Sequence, residues 1–298
     1  MVPLDGSENA EQALPVAASL SVRDGSVLHL ITVEEPHSFI LKDDPALAEL
    51  LRRSEEAYLD EHAMRLRHAG ARTTTAVLEG PVMPAIREYV HANAVDLVVM
   101  TTHGRTGVSR VWLGSIADGV MRHTTIPVLM LRPDTRGEAT REHILFHRIF
   151  IPLDGSELAE QVIAPAIRLG GIVGTRYVLV RVVEPVPFVD LTNLYTYPTA
   201  LVSDEDATRE VQQAAERQIE ALARSLREQH AGLEVDTDVV VAAPVAERLL
   251  ESARAHAADL IALATHGRGM SRLAFGSIAD KLIRGSPTPL LMYRPEMR

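Results

Sequence analysis

The chain has 298 residues, of which 46% are hydrophobic and 23% charged, so it is long enough for two folded domains of ordinary size. It contains no cysteine, which excludes disulfides, thiolate catalysis and cysteine-based metal sites. The net charge is −10, with 13 basic and 19 acidic residues in 1–140 and 17 and 21 in 141–298, which argues against a nucleic-acid partner. No secretory signal is evident, and no apolar stretch approaches the roughly 20 residues that span a bilayer, so we expect a cytoplasmic protein without a membrane partner.

In chain order, strand-like apolar runs alternate with helical patterns. The first half predicts strands over 2–5, 26–33, 72–78, 96–102 and 126–132, and helices over 8–21, 45–69, 82–93 and 115–123. The second half repeats this order, with strands in "RIFIPLD", "TRYVLVRVV", "LEVDTDVVVA", "DLIALAT" and "TPLLMYR". Its helices follow Ser156 and span 207–229, 244–257 and 277–285. The helix over 207–229 has one predicted apolar face, made of Val211, Ala215, Ile219, Leu222 and Leu226.

The chain is a duplication. "VPLDGSENAEQALPVA" from Val2 matches "IPLDGSELAEQVIAPA" from Ile151, and "LGSIADGVMRHTTIPVLMLRP" from Leu113 matches "FGSIADKLIRGSPTPLLMYRP" from Phe275. We therefore predict a first domain over 1–134, a polar linker over 135–147 and a second domain over 148–298. Strands separated by helices predict an α/β fold with a parallel sheet in each domain, and such sheets bind ligands at the carboxyl ends of their strands.

Each repeat carries a glycine-containing loop between a buried strand and a helix, "THGRTGVSRVWLGS" at 102–115 and "THGRGMSRLAFGS" at 265–277. Glycines let backbone amides approach an anion, and the first amides of a helix have no partner within it, so loop and helix together can bind a phosphate. The alternative is that the glycines only turn the chain and the serines only cap helices. The recurrence of the loop with "PLDGS" in both repeats favours a site.

Several other kinds of site fit the sequence poorly. The P-loop pattern, the G-x-S-x-G of hydrolases and the H-E-x-x-H of zinc sites are all absent. "GGIVG" at 170–174 lies between a helix and a strand, so it is interpreted as a helix stop rather than a dinucleotide motif. The histidines of the helical patterns, His62, His68, His230 and His256, are interpreted as helix-surface residues.

Together these motifs resemble the universal stress protein family in its tandem two-domain form. The family signature is a glycine, two residues, a glycine, nine residues, then glycine and serine or threonine, with an aspartate that ends the first strand. The resemblance covers nearly the whole chain. It implies a five-stranded parallel sheet of order 3-2-1-4-5 in each domain, as in the related adenine nucleotide alpha hydrolase fold. In many members it also implies ATP binding, often with a divalent ion such as Mg or Mn.

The resemblance also implies which residues contact an adenine nucleotide. In the first repeat Asp5 and Val33 contact the adenosine, with Pro3 and Leu4 nearby, and Met100 and Thr101 line the ribose. The phosphates are held by Gly104, Gly114, Ser115 and Ile116, with His103 and Arg105 close by. The matching residues of the second repeat are Pro152, Leu153, Asp154, Val182, Leu263, Ala264, His266, Gly267, Arg268, Gly276, Ser277 and Ile278. Val33 and Val182 also fit simple core packing. The resemblance implies neither a catalytic residue nor a protein ligand for a metal.

The sequence departs from the family pattern in three places. The first signature glycine is Thr101 in one repeat and Ala264 in the other, a small change that bears on ribose approach. The second loop is one residue shorter, which removes about 3.3–3.6 Å of reach, far more than a hydrogen bond tolerates. We therefore expect the second site to be weakened. Only Met1 precedes "VPLD", where the second repeat has "HRIFIPLD", so we expect native residues before Met1.

The second repeat has an insertion. Its first-strand aspartate and loop histidine are separated by 112 residues (154 to 266), against 98 (5 to 103) in the first repeat. The extra residues fall within 184–206, a proline-bearing segment that contains Phe188, Tyr195 and Tyr197. It is interpreted either as a lid or interface element, which deletion of 187–199 would test, or as a loop that packs on its own domain.

The last strands, "PVLMLR" and "PLLMYR", are apolar and lie at a sheet edge in the implied order, where exposed strands invite pairing. The resemblance implies that they pair within the chain as a pseudo-dimer, and a homodimer of whole chains is a further expectation. The function expected is a stress-response sensor or regulator that binds ATP or another adenine nucleotide. A weak ATPase and a nucleotide-free scaffold with relic sites are the alternatives. An orienting partner for a general base at His103 does not emerge from the sequence.

Overall fold

The computed structural model describes residues 1–34, 45–102, 114–132, 146–187, 204–265 and 276–295. The chain forms two compact units. One is built from Met1–Leu145 together with Pro287–Glu296, and the other from Phe146–Ser286. Each unit is an α/β fold of mainly parallel strands and helices, which confirms the predicted fold class.

The first unit alternates strands and helices in the predicted order. Its strands are β1 (Val2–Pro3), β2 (Val27–Glu34), β3 (Arg72–Glu79), β4 (Val98–Thr101) and β5 (Val128–Leu131). Its helices are α1 (Glu8–Glu11), α2 (Leu14–Asp24), α3 (Pro45–His68), α4 (Val82–Ala92) and α5 (Ser115–His123). β2 pairs in parallel with β1 and with β3, and β4 pairs in parallel with β5. A bond from Val99 N to Met1 O, at 2.9 Å, places β1 beside β4.

The second unit repeats these elements. Its strands are β6 (Arg148–Pro152), β7 (Arg176–Val183), β8 (Glu234–Val241) and β9 (Leu260–Ala264). Its helices are α6 (Glu157–Glu160), α7 (Ile163–Gly170), α8 (Glu205–Gln229), α9 (Val245–Ala255) and α10 (Ser277–Gly285). The parallel ladders run in the order β9-β6-β7-β8, with Phe150 opposite both Ile261 and Val178. The strand order 3-2-1-4-5 agrees with these ladders, but as a full five-strand order for each repeat it stays a prediction.

The last strand of the chain, β10 (Leu290–Tyr293), belongs to the first unit. It pairs antiparallel with β5, so that Leu290 lies opposite Met130 and Met292 opposite Val128. All four of these side chains are buried, because two apolar edges cover each other. The pairing of the two last strands predicted from the sequence is therefore present, whereas a homodimer stays a prediction.

Three details of the sequence interpretation are corrected or confirmed. The single helix predicted over 8–21 is wrong, since the chain breaks between α1 and α2. There the amides of Gln12 and Ala13 bond to carbonyls three residues back, and Pro15 has no N–H to continue the helix. Val211 of the predicted apolar face is 42% exposed, so that face begins at Ala215. The "GGIVG" segment is the helix stop predicted, with Gly171 at φ 84° after α7.

The first strands of the two repeats differ in length. β1 has two residues and β6 has five, in line with the short start of the first repeat. Among the described helices, none is both long and apolar enough to cross a bilayer.

Candidate functional site

The ends of the first strands meet the ends of their neighbours at the carboxyl edge of each sheet. After β1, Leu4 N donates to Ile31 O at 2.8 Å, and after β6, Leu153 N donates to Val180 O at the same distance. The next residue is Asp5 in one unit and Asp154 in the other. The aspartates therefore leave the sheet beside the strands that end in Val33–Glu34 and Val182–Val183.

Each aspartate organises the turn that follows it. Asp5 Oδ1 accepts from Ser7 N at 3.1 Å and from Ser7 Oγ at 2.6 Å. Asp154 Oδ1 accepts from Ser156 N at 2.9 Å and from Ser156 Oγ at 2.6 Å. Each serine then caps a helix, because its Oγ accepts from the amide of Ala10 or Ala159, at 3.2 Å in both cases. The two turns are thus the same structure built twice.

The helices that follow the glycine-containing loops begin differently. Gly114 N donates to Thr102 O at 2.8 Å and Gly276 N to Thr265 O at 2.9 Å, which fixes the starts of α5 and α10 at the ends of β4 and β9. The N-cap residue is a glycine in both, so neither helix has a capping side chain at that position. The first-turn amides consequently have no partner within the helix and lie at the positive end of its dipole.

The backbone conformation does not require glycine at these two positions. Gly114 has φ −59° and ψ 151°, and Gly276 has φ −60° and ψ 153°, values that any residue adopts. A Cβ added at Gly276 would meet only Thr265 O, at 3.6 Å, which is ordinary van der Waals contact. Among the described residues, then, packing gives no reason for glycine at 276. Close approach of a ligand to the backbone would give one.

The predicted site residues differ in burial. Leu4, Leu153, Met100, Thr101 and Leu263 are buried, which leaves their backbone as the part that a ligand can reach. The partly exposed ones are Pro3, Asp5, Val33, Gly114, Ile116, Pro152, Asp154, Val182, Ala264, Gly276 and Ile278, while Ser115 and Ser277 are exposed. Six predicted residues lie outside the described part of the chain: His103, Gly104, Arg105, His266, Gly267 and Arg268.

The two repeats differ in charge at this edge. β2 and β3 end in a cross-strand pair, Glu34 opposite Glu79, whereas the matching pair of the second unit is Val183 opposite Val241. Burial, followed by the nearby carboxylates of Glu55 and Glu79, raises the pKa of the Glu34 carboxyl. The edge next to the predicted adenosine position is therefore acidic in the first unit and apolar in the second.

The interpretation of His62 as a surface residue is wrong. Its side chain is only 6% exposed, with Nε2 at 3.4 Å from Glu11 Oε1 and Nδ1 at 2.7 Å from Arg65 Nη2. His256 also differs from its prediction, because it is half-buried and its Nε2 lies 3.0 Å from Asp238 Oδ2. A comparison of the repeats contained a signal for His62, since it aligns with Leu222 on the predicted apolar face of α8.

Sequence reasoning also missed the contacts that hold the aspartate turns. In the first unit Tyr58 Oη donates to Glu11 Oε1 at 3.1 Å. In the second unit Gln218 Nε2 donates to Gly155 O at 3.3 Å. These side chains come from α3 and α8, far from the motifs in sequence, so motif spacing carried no signal for them.

The described part of the chain shows no group of three or more metal-ligating side chains. The insertion of the second repeat starts and ends at one place, because Asp204 N donates to Val186 O at 2.8 Å and Val186 N to Thr208 Oγ1 at 3.0 Å. Most of the insertion, including Phe188, Tyr195 and Tyr197, lies outside the described residues, so the lid hypothesis stays a prediction.

Comparisons with known proteins agree with this fold and this duplication. The model of the universal stress protein family matches twice, over residues 1–132 and 145–294. Both matches together cover most of the chain, so the chain belongs to the universal stress protein family, in a tandem two-domain form. The resemblance drawn from its motifs is thereby confirmed.

Individual relatives show how similar the sequences are and how much of each chain the similarity covers. A universal stress protein of Methanocaldococcus jannaschii is 28% identical over 136 residues, which are 44% of this chain and 80% of that protein. One of Mycobacterium bovis is 24% identical over 204 residues, 68% of this chain and 63% of that protein. A crystal structure of a universal stress protein from Archaeoglobus fulgidus shares the fold, with a TM-score of 0.70 and 18% identity over 98% of this chain and 97% of its own.

Proposed function

We propose that this protein binds ATP or another adenine nucleotide at the carboxyl edge of each sheet and acts as a cytoplasmic stress-response regulator rather than as an enzyme. The observation that carries the proposal is the glycine at the start of α5 and α10. The backbone conformation does not require glycine at either position, and at Gly276 the packing does not require it either. In each unit a helix with a glycine N-cap and an aspartate turn both begin where parallel strands end, and a nucleotide with phosphates at one end and a nucleoside at the other would bind at such an edge.

In this proposal the parts of the site have separate tasks. The amides of Ser115 and Ile116, or of Ser277 and Ile278, bind phosphate oxygens, and the partial positive charge of the helix start favours them. Asp5 and Asp154, with Val33 and Val182, face the nucleoside. Because the described residues bring no metal-ligating group together, a Mg or Mn ion would be held chiefly by phosphate oxygens and water.

In the first test, freshly purified protein is denatured to release any bound nucleotide. The released nucleotide is identified by chromatography, and its amount per chain is measured. Calorimetric titration with ATP and Mg²⁺ then gives the number of sites. About one nucleotide per chain supports a single strong site, expected in the first repeat because its loop is longer. Absence of both released and added nucleotide overturns the proposal. ATP turnover above the buffer background would favour a hydrolase over a regulator.

A further inference from the structure

The two aspartate turns are built alike but are held by different side chains. The long helices α3 and α8 align by their contacts, since Asp60 accepts from Thr75 Oγ1 at 3.1 Å and Glu220 from Thr237 Oγ1 at 3.2 Å. Two residues before these acids stand Tyr58 in the first unit and Gln218 in the second. The same position of the long helix therefore reaches the aspartate turn in both repeats, with a phenol in one and an amide in the other.

In the first unit the contact runs through Glu11, the last residue of α1. Its carboxylate Oε1 accepts from Tyr58 Oη at 3.1 Å and lies 3.4 Å from His62 Nε2. Its amide donates to Ser7 O at 3.2 Å, and Ser7 Oγ donates to Asp5 Oδ1 at 2.6 Å. A continuous set of contacts thus joins His62 to the aspartate at the edge of the candidate nucleotide site.

The contacts of His62 favour its neutral form. Arg65 Nη2 lies 2.7 Å from His62 Nδ1 and 3.5 Å from His62 Nε2, on a ring whose Nε2 is 3.4 Å from Glu11 Oε1. Because Arg65 stays charged, a protonated imidazole would bring two cations into contact. Burial lowers the pKa of His62, Arg65 lowers it further, and the carboxylates of Glu11 and Glu61 oppose them. Asp60 of the same helix is turned toward Thr75 of β3 instead.

In the second unit the matching contact to the aspartate turn is made by an amide, which does not titrate. Gln218 Nε2 donates to Gly155 O at 3.3 Å, and its Oε1 accepts from Arg181 Nη1 at 2.5 Å. Leu222 occupies the position of His62. Glu160, which matches Glu11, does not receive the phenol and imidazole, and burial together with the carboxylates of Glu157 and Asp154 raises its pKa. Neither an amide nor an arginine changes charge near neutral pH.

We propose that Glu11, held by Tyr58 and His62, is a positioning residue for the Asp5 turn, and that nucleotide binding in the first repeat weakens in mild acid while binding in the second does not. The inference rests on the proposed nucleotide-binding function. Below the ordinary pKa of histidine, protonation of His62 must displace Arg65 and draw Glu11 toward the imidazolium. The turn that Glu11 anchors then loses its arrangement, so the bound state disfavours the proton and acid lowers the affinity.

The experiment uses the full chain with one site blocked at a time, by Gly276→Val or by Gly114→Val, and titrates ATP with Mg²⁺ at about pH 7.5 and about pH 5.5. Between the higher and the lower pH, the affinity of the first repeat (second site blocked) should fall by up to about tenfold more than the affinity of the second repeat (first site blocked). Tenfold is about the limit for the uptake of one proton by a group with the ordinary histidine pKa. The titration of ATP itself is common to both repeats, so that part cancels in the comparison.

His62→Gln keeps a donor toward Glu11 without titrating, so it should retain the affinity measured at the higher pH and lose the extra pH dependence. His62→Leu copies the second repeat and should lose the dependence too. Tyr58→Phe should weaken binding about threefold or more at both pH values and keep their ratio. An unchanged pH dependence in His62→Gln overturns the inference.

A measurement without nucleotide separates this inference from the proposed function. Hydrogen exchange of the Ser7 and Ala10 amides, normalised to the matched Ser156 and Ala159 amides, should rise at the lower pH in the wild-type chain and not in His62→Gln. If ATP does not bind at all but this exchange behaves as expected, the function fails and the positioning role of Glu11 stands. If the exchange ratio does not change with pH, the positioning role fails whatever binds.

Discussion

The substitution Gly276→Ser should separate folding from binding, because it is expected to affect them in opposite directions. The site accepts a side chain, since φ is −60° and an added Cβ lies 3.6 Å from Thr265 O. Serine at an N-cap is a few tenths of a kcal/mol better than glycine. The introduced hydroxyl should accept from Ala279 N, as Ser156 Oγ accepts from Ala159 N at 3.2 Å. Stability should therefore be unchanged or slightly higher.

The same side chain stands beside the backbone that an incoming phosphate must approach closely, so it should cost a contact to the amides of Ser277 and Ile278. One hydrogen bond to a charged group contributes about 1.5–3 kcal/mol, so the affinity of that site should fall by roughly 10- to 150-fold. The assays are urea unfolding followed by circular dichroism and calorimetric titration with ATP and Mg²⁺. Gly114→Ser tests the first repeat in the same way, and the reverse change, Ser156→Gly, is the matched control in the unfolding assay alone, because Ser156 also holds Asp154 of the candidate site.

The reasoning is refuted if both serine variants bind ATP as the wild-type chain does. It is also refuted if either one loses more than about 1 kcal/mol of stability, since the glycine would then be structural.

Two further predictions concern folding. Gly170→Ala would place a Cβ 2.5 Å from Ile149 Cδ1 and 2.6 Å from Tyr177 Oη. The overpacking cost of about 1–3 kcal/mol should exceed the gain in helix propensity of up to about 1 kcal/mol, so the variant should be less stable. A rise in the urea midpoint would contradict this prediction. Glu160→Gln removes a carboxyl whose pKa is raised in the folded state, mainly by burial. It should raise the midpoint at neutral pH and lose this effect as the pH falls from the raised pKa of Glu160 to the ordinary value of 4.5; an equal effect at neutral pH and at 4.5 would speak against it.

Local sequence patterns were enough to predict most helices and strands. A strand buried on both faces appears as an apolar run, and a helix repeats its apolar residues every three or four positions, so a short window of sequence is enough to recognise either element. The repeat added that every element occurs twice in the same order. The break between α1 and α2 was missed because its cause, the missing N–H of Pro15, acts on a carbonyl one turn back in an otherwise helical pattern.

Some residues of the candidate site could also be predicted from local motifs, and others could not. Asp5, Gly114 and their counterparts follow from motifs, because each works through backbone within a few residues of itself. His62 and Tyr58 could not be found in this way, because a polar residue on a helix is ordinarily exposed. The carboxylate that both contact belongs to Glu11, which lies 47 residues from Tyr58 and far from His62 in the sequence.

The sequence by itself thus determined the class of fold and its duplication, and it predicts the two edges as ligand sites. Only the tertiary structure decided which side chains hold those edges and the register in which β10 pairs with β5. The physical reason is the range of the interactions: propensity and capping act within a few residues, whereas packing and strand pairing join whatever the folded chain brings together.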